Sequence, residues 1–411
     1  MDDESLKDLL GFSSFGKRKH ATKQTKKKNK VTKIDYTLPT IEFYRPATRM
    51  ELNDLEGFLD MDPPSVVQGL PRLQKSLETV LDMKNKLHAL QLRDDVYRDC
   101  RSLANPFELV GKWRFVNRSA MKLAEIDACV QLMPSPEQTQ SVSFVDLCGA
   151  PGGFSEYLVF RADRNHQSIR GHGISIKVPT STHLDWHVSK QVLEKLQISY
   201  GADNTGDLYK QTNMDHFACQ VLQAHSEGVD LVVADGGFQD ARNQSNQEIL
   251  MHRLGLCEIL VMARVLRKGG HFVCKSFELS SAFSLGLLYV LHHLFSEIAI
   301  VKPMLVKTSR PASSERYIVC RGWRHFQPSG VIAHFTALNK TFDAASPSTN
   351  VINGNMVDRG FLQFVEKSGH RSESSRGYRS NNIICYMLHK YPSTSRVTHS
   401  AGGMEIDSMR R

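Results

Sequence analysis

An α/β fold built on a doubly wound sheet is what this sequence predicts, on three observations. Short apolar runs alternate with longer helical patterns across the middle of the chain. The first such run, "FVDLC", leads straight into the glycine-rich turn "GAPGG" and then a helical pattern. Two later runs, "LVVADGGF" and "HFVCKSF", carry a charged residue at or near their ends, Asp235 and Lys275.

Taken in order, residues 1–35 are polar and basic and are predicted to form a disordered tail. Nine Lys/Arg fall between Lys17 and Lys33 with no acid among them, and the remaining bases and acids of the chain balance. The formal charge of +9 is therefore a property of the tail. Such an arm reads as a nuclear import signal, a tether for RNA phosphates, or both, and a nuclear location is predicted. Residues 36–104 are expected to be an N-terminal extension, in which Leu73, Leu77, Val80, Leu81, Met83, Leu87 and Leu90 recur at helical spacing. The catalytic domain is expected over 105–325. Its predicted strands are "SFVDLC", "GHGISIKV", "GVDLVVAD", "HFVCKSF", "EIAIVKP" and "RYIVCRG". The spacing also predicts one long helix through "NQEILMHRLGLCEILVMARVLRKGG", closed by Gly269-Gly270, and another over "FSLGLLYVLHHLF". Residues 326–411 are a C-terminal extension, with a Ser/Arg/Asn-rich loop around "SGHRSESSRGYRSNN".

Several function classes are excluded. No apolar run approaches the roughly 18 residues that span a bilayer, and no secretion signal opens the chain, so a membrane role is not expected. The eight cysteines form no CxxC pair and the 17 histidines no HExxH pattern, so no metal is expected. The turn after "FVDLC" is neither G-x-G-x-x-G nor GxxxxGK[ST], which argues against a nicotinamide cofactor or ATP. In an open parallel sheet, ligands bind beyond the carboxyl ends of strands, where this turn is predicted to lie. Asp203 and Asp207, in the polar stretch "YGADNTGDLYKQTN", could meet a nucleoside or serve only as turn residues.

Lysine in an apolar strand needs acidic partners, because a buried ammonium is costly without them. Asp235 and Glu315 are the acids placed to partner Lys275, and Lys122 sits on the helix before the first strand. These four could be a structural ion-pair network or a catalytic group.

Together, "DLCGAPGGFSEY", "ADGGF", "GGHFVCKSF", "RPASSERYIVC" and "ANPFELVGKWRFVNRSAMKLAEID" resemble the FtsJ-type ribose 2′-O-methyltransferases. The likeness is greatest to the eukaryotic branch that methylates the first transcribed nucleotide of capped mRNA. It implies a Rossmann-like methyltransferase fold, with a seven-stranded, mostly parallel sheet, helices on both faces and helical extensions. It also implies S-adenosylmethionine as cofactor and 5′-capped RNA as substrate, with the transcription machinery as a possible partner class. The catalytic tetrad implied is Lys122, Asp235, Lys275 and Glu315. Cofactor contacts are implied for Asn117, Cys148, Gly149, Ala150, Pro151, Gly152, Gly153, Phe154, Asp207 and Leu208. Contacts to RNA or cap are implied for Arg101, Ser245, Asn246, Gln247 and Ser313, although "QDARNQSNQE" departs from the family's segment and the Pro303–Arg310 stretch is longer. No glycine-rich segment of the kind carried by the animal enzyme follows the tail, so a helicase partner is not expected. A ribose hydroxyl must lose its proton to attack, and Lys275 is the candidate acceptor, with Lys122 stabilising the oxygen. The alternatives are an rRNA or tRNA ribose methyltransferase of the same type and an inactive RNA-binding relative. An amino-methyltransferase is disfavoured, because Asp235 is followed by Gly-Gly-Phe.

Overall fold

The computed structural model describes residues 40–45, 50–57, 59, 70–89, 95–96, 114–177, 185–238, 247–303, 314–344, 350–352 and 357–369. The basic tail, the Ser/Arg/Asn-rich stretch beyond residue 369, and Arg101, Ser245, Asn246 and Ser313 lie outside them.

Seven strands build one sheet: β1 (Ser141–Leu147), β2 (Ser168–Ile174), β3 (Leu196–Ser199), β4 (Val229–Ala234), β5 (Leu266–Ser276), β6 (Phe295–Val301) and β7 (Arg316–Trp323). Their order is β3-β2-β1-β4-β5-β7-β6. The first five run parallel, and β7 pairs antiparallel with both β5 and β6. The predicted mostly parallel, seven-stranded sheet is therefore present.

Strands covered on both sides must be apolar on both, and the side chains here sort by alternation. Val145, Val232, Phe272 and Ile318 point to one core, whereas Phe144, Val233, Val273 and Val319 point to the other. Two helices, α3 (Ser119–Val130) and α4 (Gly153–Arg164), cover the second face through Ile126, Tyr157 and Leu158. The first face lies under α6 (Gln211–Ala224), α8 (His252–Val265), α9 (Ala282–Leu294) and α10 (Ser329–Thr341). Shorter helices are α1 (Leu52–Glu56), α5 (Lys190–Leu193) and α7 (Gln247–Leu250). The expected amphipathic helix is α2 (Pro71–Ala89), which buries Leu73 and Val80. Both extensions reach the first core, with Leu55 from one side and Val331, Phe335, Phe361 and Val365 from the other. Tyr44 also bridges to Ile298 of the edge strand β6.

Two boundaries differ from the sequence reading. The long helix is not closed by Gly269-Gly270; it stops at Val265, and the glycines belong to β5. In the β4–β5 ladder Val229 faces Leu266 and Leu231 faces His271, so Asp230 alone stands opposite residues 267–270. That irregularity needs the left-handed backbone of Gly269 (φ +81°). The second strand starts earlier than expected, at Ser168, and ends at Ile174. β3 and α6, which come from polar stretches, were not anticipated at all.

Asp230 also fastens the amino-terminal edge of the sheet. Its Oδ2 accepts from the Ser143 amide and hydroxyl, each at 2.7 Å, and its Oδ1 accepts from Arg267 Nε at 2.7 Å. Asp230→Ala is expected to lower the unfolding free energy by about 2 kcal/mol, since these bonds involve a charged acceptor. Denaturant melts measure that loss, and ligand binding at the opposite edge of the sheet should persist.

Candidate active site

The carboxyl edge of the sheet carries the glycine turn. Asp146, in β1, is fully buried. Its Oδ2 accepts from the Ser155 amide at 3.1 Å and the Ser155 hydroxyl at 2.6 Å, which fastens β1 to the first turn of α4. Oδ1 is buried with no partner among the described residues. Burial pushes this carboxyl up to about 7, against the two Ser155 bonds, and nearby Asp235 adds to the rise. A buried acid with a spare oxygen beside a backbone-rich turn fits a polar, cationic ligand group.

The glycines have a second reason besides ligand approach. Gly152 has φ +106°, and a Cβ there would lie 2.1 Å from Val188 Cγ1. A Cβ on Gly149 would lie 2.5 Å from the Trp186 ring. Trp186 and Val188 pack against the turn from the segment before α5 and hold its shape. Asn117 flanks the same turn, with its Oδ1 accepting from the Ser119 amide at 3.0 Å.

The other implied cofactor contacts divide. Cys148, Ala150, Pro151 and Gly153 make up the turn itself. Phe154 and Leu208 are 1% and 2% exposed and lie in the two cores, so their side chains brace this edge. Asp207 Oδ1 accepts from the Tyr209 amide at 2.9 Å. Asp203 is occupied by its own loop, accepting from Thr205 and from Lys210 Nζ at 2.7 Å, and so serves as a turn residue. Gln247 opens α7 as a buried residue whose Oε1 accepts from Ser314 at 3.0 Å.

Beside the turn, the four ionisable residues meet. Ala234 pairs with Cys274, and Lys275 pairs with Tyr317, so Asp235, Lys275 and Tyr317 form a row across β4, β5 and β7. Lys275 Nζ lies 2.9 Å from Asp235 Oδ1 and donates to the carbonyls of Asp235 and Gly236 at 2.7 and 3.0 Å. Lys122 Nζ, coming down from α3, lies 2.8 Å from Glu315 Oε1. Ser119 Oγ donates to Asp235 Oδ2 and Tyr317 Oη donates to Asp235 Oδ1. Neither hydroxyl was singled out from the sequence, although a signal existed. Ser119 is one helical turn from Lys122, and Tyr317 is two residues from Glu315 at strand spacing.

The electrostatics follow from this packing. Burial alone would raise Asp235, but Lys122, Lys275 and the two hydroxyls hold it well below the ordinary carboxylate range. Burial likewise works against the Lys275 ammonium, yet Asp235 and Glu315 outweigh it and raise that group above the ordinary lysine value. Charge thus wins over burial, and at rest Lys275 is an ammonium. Burial, with Asp235 and Glu315 beside it, pushes the Tyr317 phenol far upward, so it stays a donor.

Of the aromatics available for stacking, Phe115 and Trp323 are core, and Phe43 lies under Arg321 at 4.3 Å. Tyr44 stacks on Phe364, with ring centroids 4.9 Å apart. Trp113 is outside the described residues. Phe238, three residues past Asp235, is 41% exposed.

The family model described as FtsJ-like methyltransferase matches residues 115–323. The chain is 32% identical to the cap-specific mRNA (nucleoside-2'-O-)-methyltransferase 1 of Dictyostelium discoideum, over 75% of this chain and 41% of that protein. It is 33% identical to the protein of the same name from Drosophila melanogaster, over 81% and 44%, and 34% identical to that from Homo sapiens, over 61% and 31%. The chain therefore spans less than half the length of each of these relatives.

Because the Asp235 carboxyl is depressed in the fold, its stabilisation is present above the unfolded carboxylate pKa of about 3.9 and is lost as the pH falls through the folded value. Asp235→Asn should unfold about 3 kcal/mol more easily at neutral pH, the cost of leaving buried ammoniums short of a counter-charge. Melts at a series of pH values should show that gap narrowing below pH of about 4.

Proposed function

The chain belongs to the FtsJ-like methyltransferase family, and from that premise we propose that it methylates the ribose 2′-hydroxyl of the first transcribed nucleotide of 5′-capped RNA. The observation that carries this reading is the row of Asp235, Lys275 and Tyr317 with Lys122 and Glu315 alongside, set next to the glycine turn. The relatives' names supply the substrate class: each is a cap-specific mRNA 2′-O-methyltransferase.

Asn117, the backbone of Cys148 through Phe154, Asp146 and the Asp207-Leu208 segment would hold S-adenosylmethionine. When bound, that group supplies an electrophilic methyl on a positively charged sulfur. The chain's own residues handle the acceptor. Lys122 offers a buried donor to a ribose oxygen as it gathers negative charge, and a donor fixed in a dry site needs no reorganisation. The hydroxyl proton passes to Lys275 Nζ in its amine form, so some fraction of Lys275 must first give up the proton that Asp235 and Glu315 favour. Asp235 aims Lys275, and Glu315 aims Lys122. Phe238, exposed beside Asp235, offers a face on which a base can stack. The Lys17–Lys33 arm would add phosphate affinity and a nuclear address.

The test is transfer of a labelled methyl group to three short RNAs, bearing a 7-methylguanosine cap, an unmethylated guanosine cap or a bare 5′ triphosphate. Label should appear on the first ribose of the capped RNAs, and Lys275→Ala should reduce the rate by about 10²-fold or more. Equal labelling of the bare RNA would move the assignment to rRNA or tRNA, and no labelling with cofactor binding intact would mark an inactive relative. The wild-type rate should also climb with pH through the neutral range, as the amine form of Lys275 becomes more abundant.

A further inference from the structure

Below the Asp235–Gly236 turn lies a carboxyl group with no task in the reading above. Glu258, in the middle of α8, is 0% exposed. A Cβ placed on Gly236 would fall 2.3 Å from Glu258 Oε1 and 3.3 Å from Cys148 Cβ, so the carboxyl sits directly under the Gly236 backbone, between Cys148 and the ionisable row. The Cys148 thiol and the Gly236 amide are the donors that face its oxygens. A leucine or methionine would fill that space without the cost of burying a carboxyl.

The groups facing Glu258 come from four other elements. Cys148 reaches it from the turn after β1, Asp235 and the Gly236 amide from the loop after β4, Lys275 and Cys274 from β5, and Tyr317 from β7. Cys257 is its neighbour on α8 itself. Lys275 is the cation among them. Burial is the largest influence and pushes the carboxyl up to about 8; Lys275, the Cys148 thiol and the Gly236 amide act against it, and Asp235 adds to it. The thiols and the phenol are themselves pushed upward by burial and stay neutral.

Counting charges shows what this carboxyl can do. Lys122 and Lys275 are matched by Asp235 and Glu315, and Asp146, pushed up to about 7, is a further acid beside Asp235. Ionised Glu258 adds one more negative charge, and that charge acts on Lys275 across the Gly236 backbone, whose carbonyl Lys275 holds. We propose that Glu258 is a positioning residue whose own proton sets how firmly Lys275 holds its proton. The proposal rests on the reading of Lys275 as the acceptor of the ribose proton. With Glu258 neutral, Lys275 releases its proton more readily; with Glu258 ionised, the ammonium is held and the gain in rate with rising pH is cut back.

The test compares the full-length wild type with Glu258→Gln, which keeps the shape and never ionises, and with Glu258→Met as a second variant should the amide destabilise the fold. Competitive labelling with acetic anhydride, read by peptide mass spectrometry, follows the amine form of Lys275 from pH 7 to 10 without requiring catalysis. In both variants Lys275 should be about tenfold more reactive than wild type at pH 9, corresponding to one pKa unit, and about equally reactive at pH 7. The methyl-transfer rate of the wild type should bend downward near pH of about 8, whereas that of the variants should continue to rise. Superimposable labelling curves would overturn the proposal. Shifted labelling with parallel rate profiles would also overturn it, because Glu258 would then not act through Lys275 on the reaction. Shifted labelling in a wild type that methylates no RNA would leave the link between Glu258 and Lys275 standing and remove the assigned function instead.

Discussion

Two lysine side chains are buried at the carboxyl edge of this sheet, and the carboxylate of Asp235 makes that burial tolerable. An unpaired ammonium in such a place would shed its proton or pull the structure open. Asp235 lies against Lys275, feels Lys122, and accepts from two hydroxyls that fix its orientation. Its partners come from three elements, Lys122 and Ser119 from α3, Lys275 from β5 and Tyr317 from β7, so the carboxylate also acts as a pin joining these to the β4 edge. Changes in the ladder register would separate these side chains, because a one-residue slip sends every side chain of a strand to the opposite face.

The sheet supplies that register through an apolar interior on both faces. Alternate residues of β1, β4, β5 and β7 feed two cores, and strand ends carrying polar residues are left at one edge. The glycine turn sits at the same edge and is shaped from behind by Trp186 and Val188. Chemistry and stability are thus segregated: Asp230 and its partners fasten the amino-terminal edge, and the ionisable group occupies the other.

Much of this was legible in the chain. Lys275 stood out as a charge in an apolar strand, and its need for acids led to Asp235 and Glu315. The helical spacing of Leu73, Leu77 and Val80 marked α2 as amphipathic, and α2 buries Leu73 and Val80. Other features were hidden for physical reasons. Gly269 and Gly270 look like a helix stop, but a bulge in β5 demands the same conformational freedom. Gln247 accepts from Ser314, a contact between distant segments that no local pattern encodes. β3 is four residues long at the edge of the sheet, too short for a periodic signal. Glu258 was overlooked because a single glutamate in a helix reads as a solvent-facing residue, although its neighbours in "LGLCEILVMARV" are almost wholly apolar.

The claim at the centre of this account is that Asp235 keeps Lys275 charged. Nuclear magnetic resonance of the protein carrying ¹⁵N at its lysine side chains reads the Lys275 ζ-nitrogen directly as pH is raised, in the wild type and in Asp235→Asn. The wild-type Lys275 should remain an ammonium beyond the ordinary lysine pKa of about 10.4, and the substitution should bring its titration to lower pH. A wild-type Lys275 that is already neutral near pH of about 8, or a titration unmoved by the loss of the Asp235 charge, would contradict it.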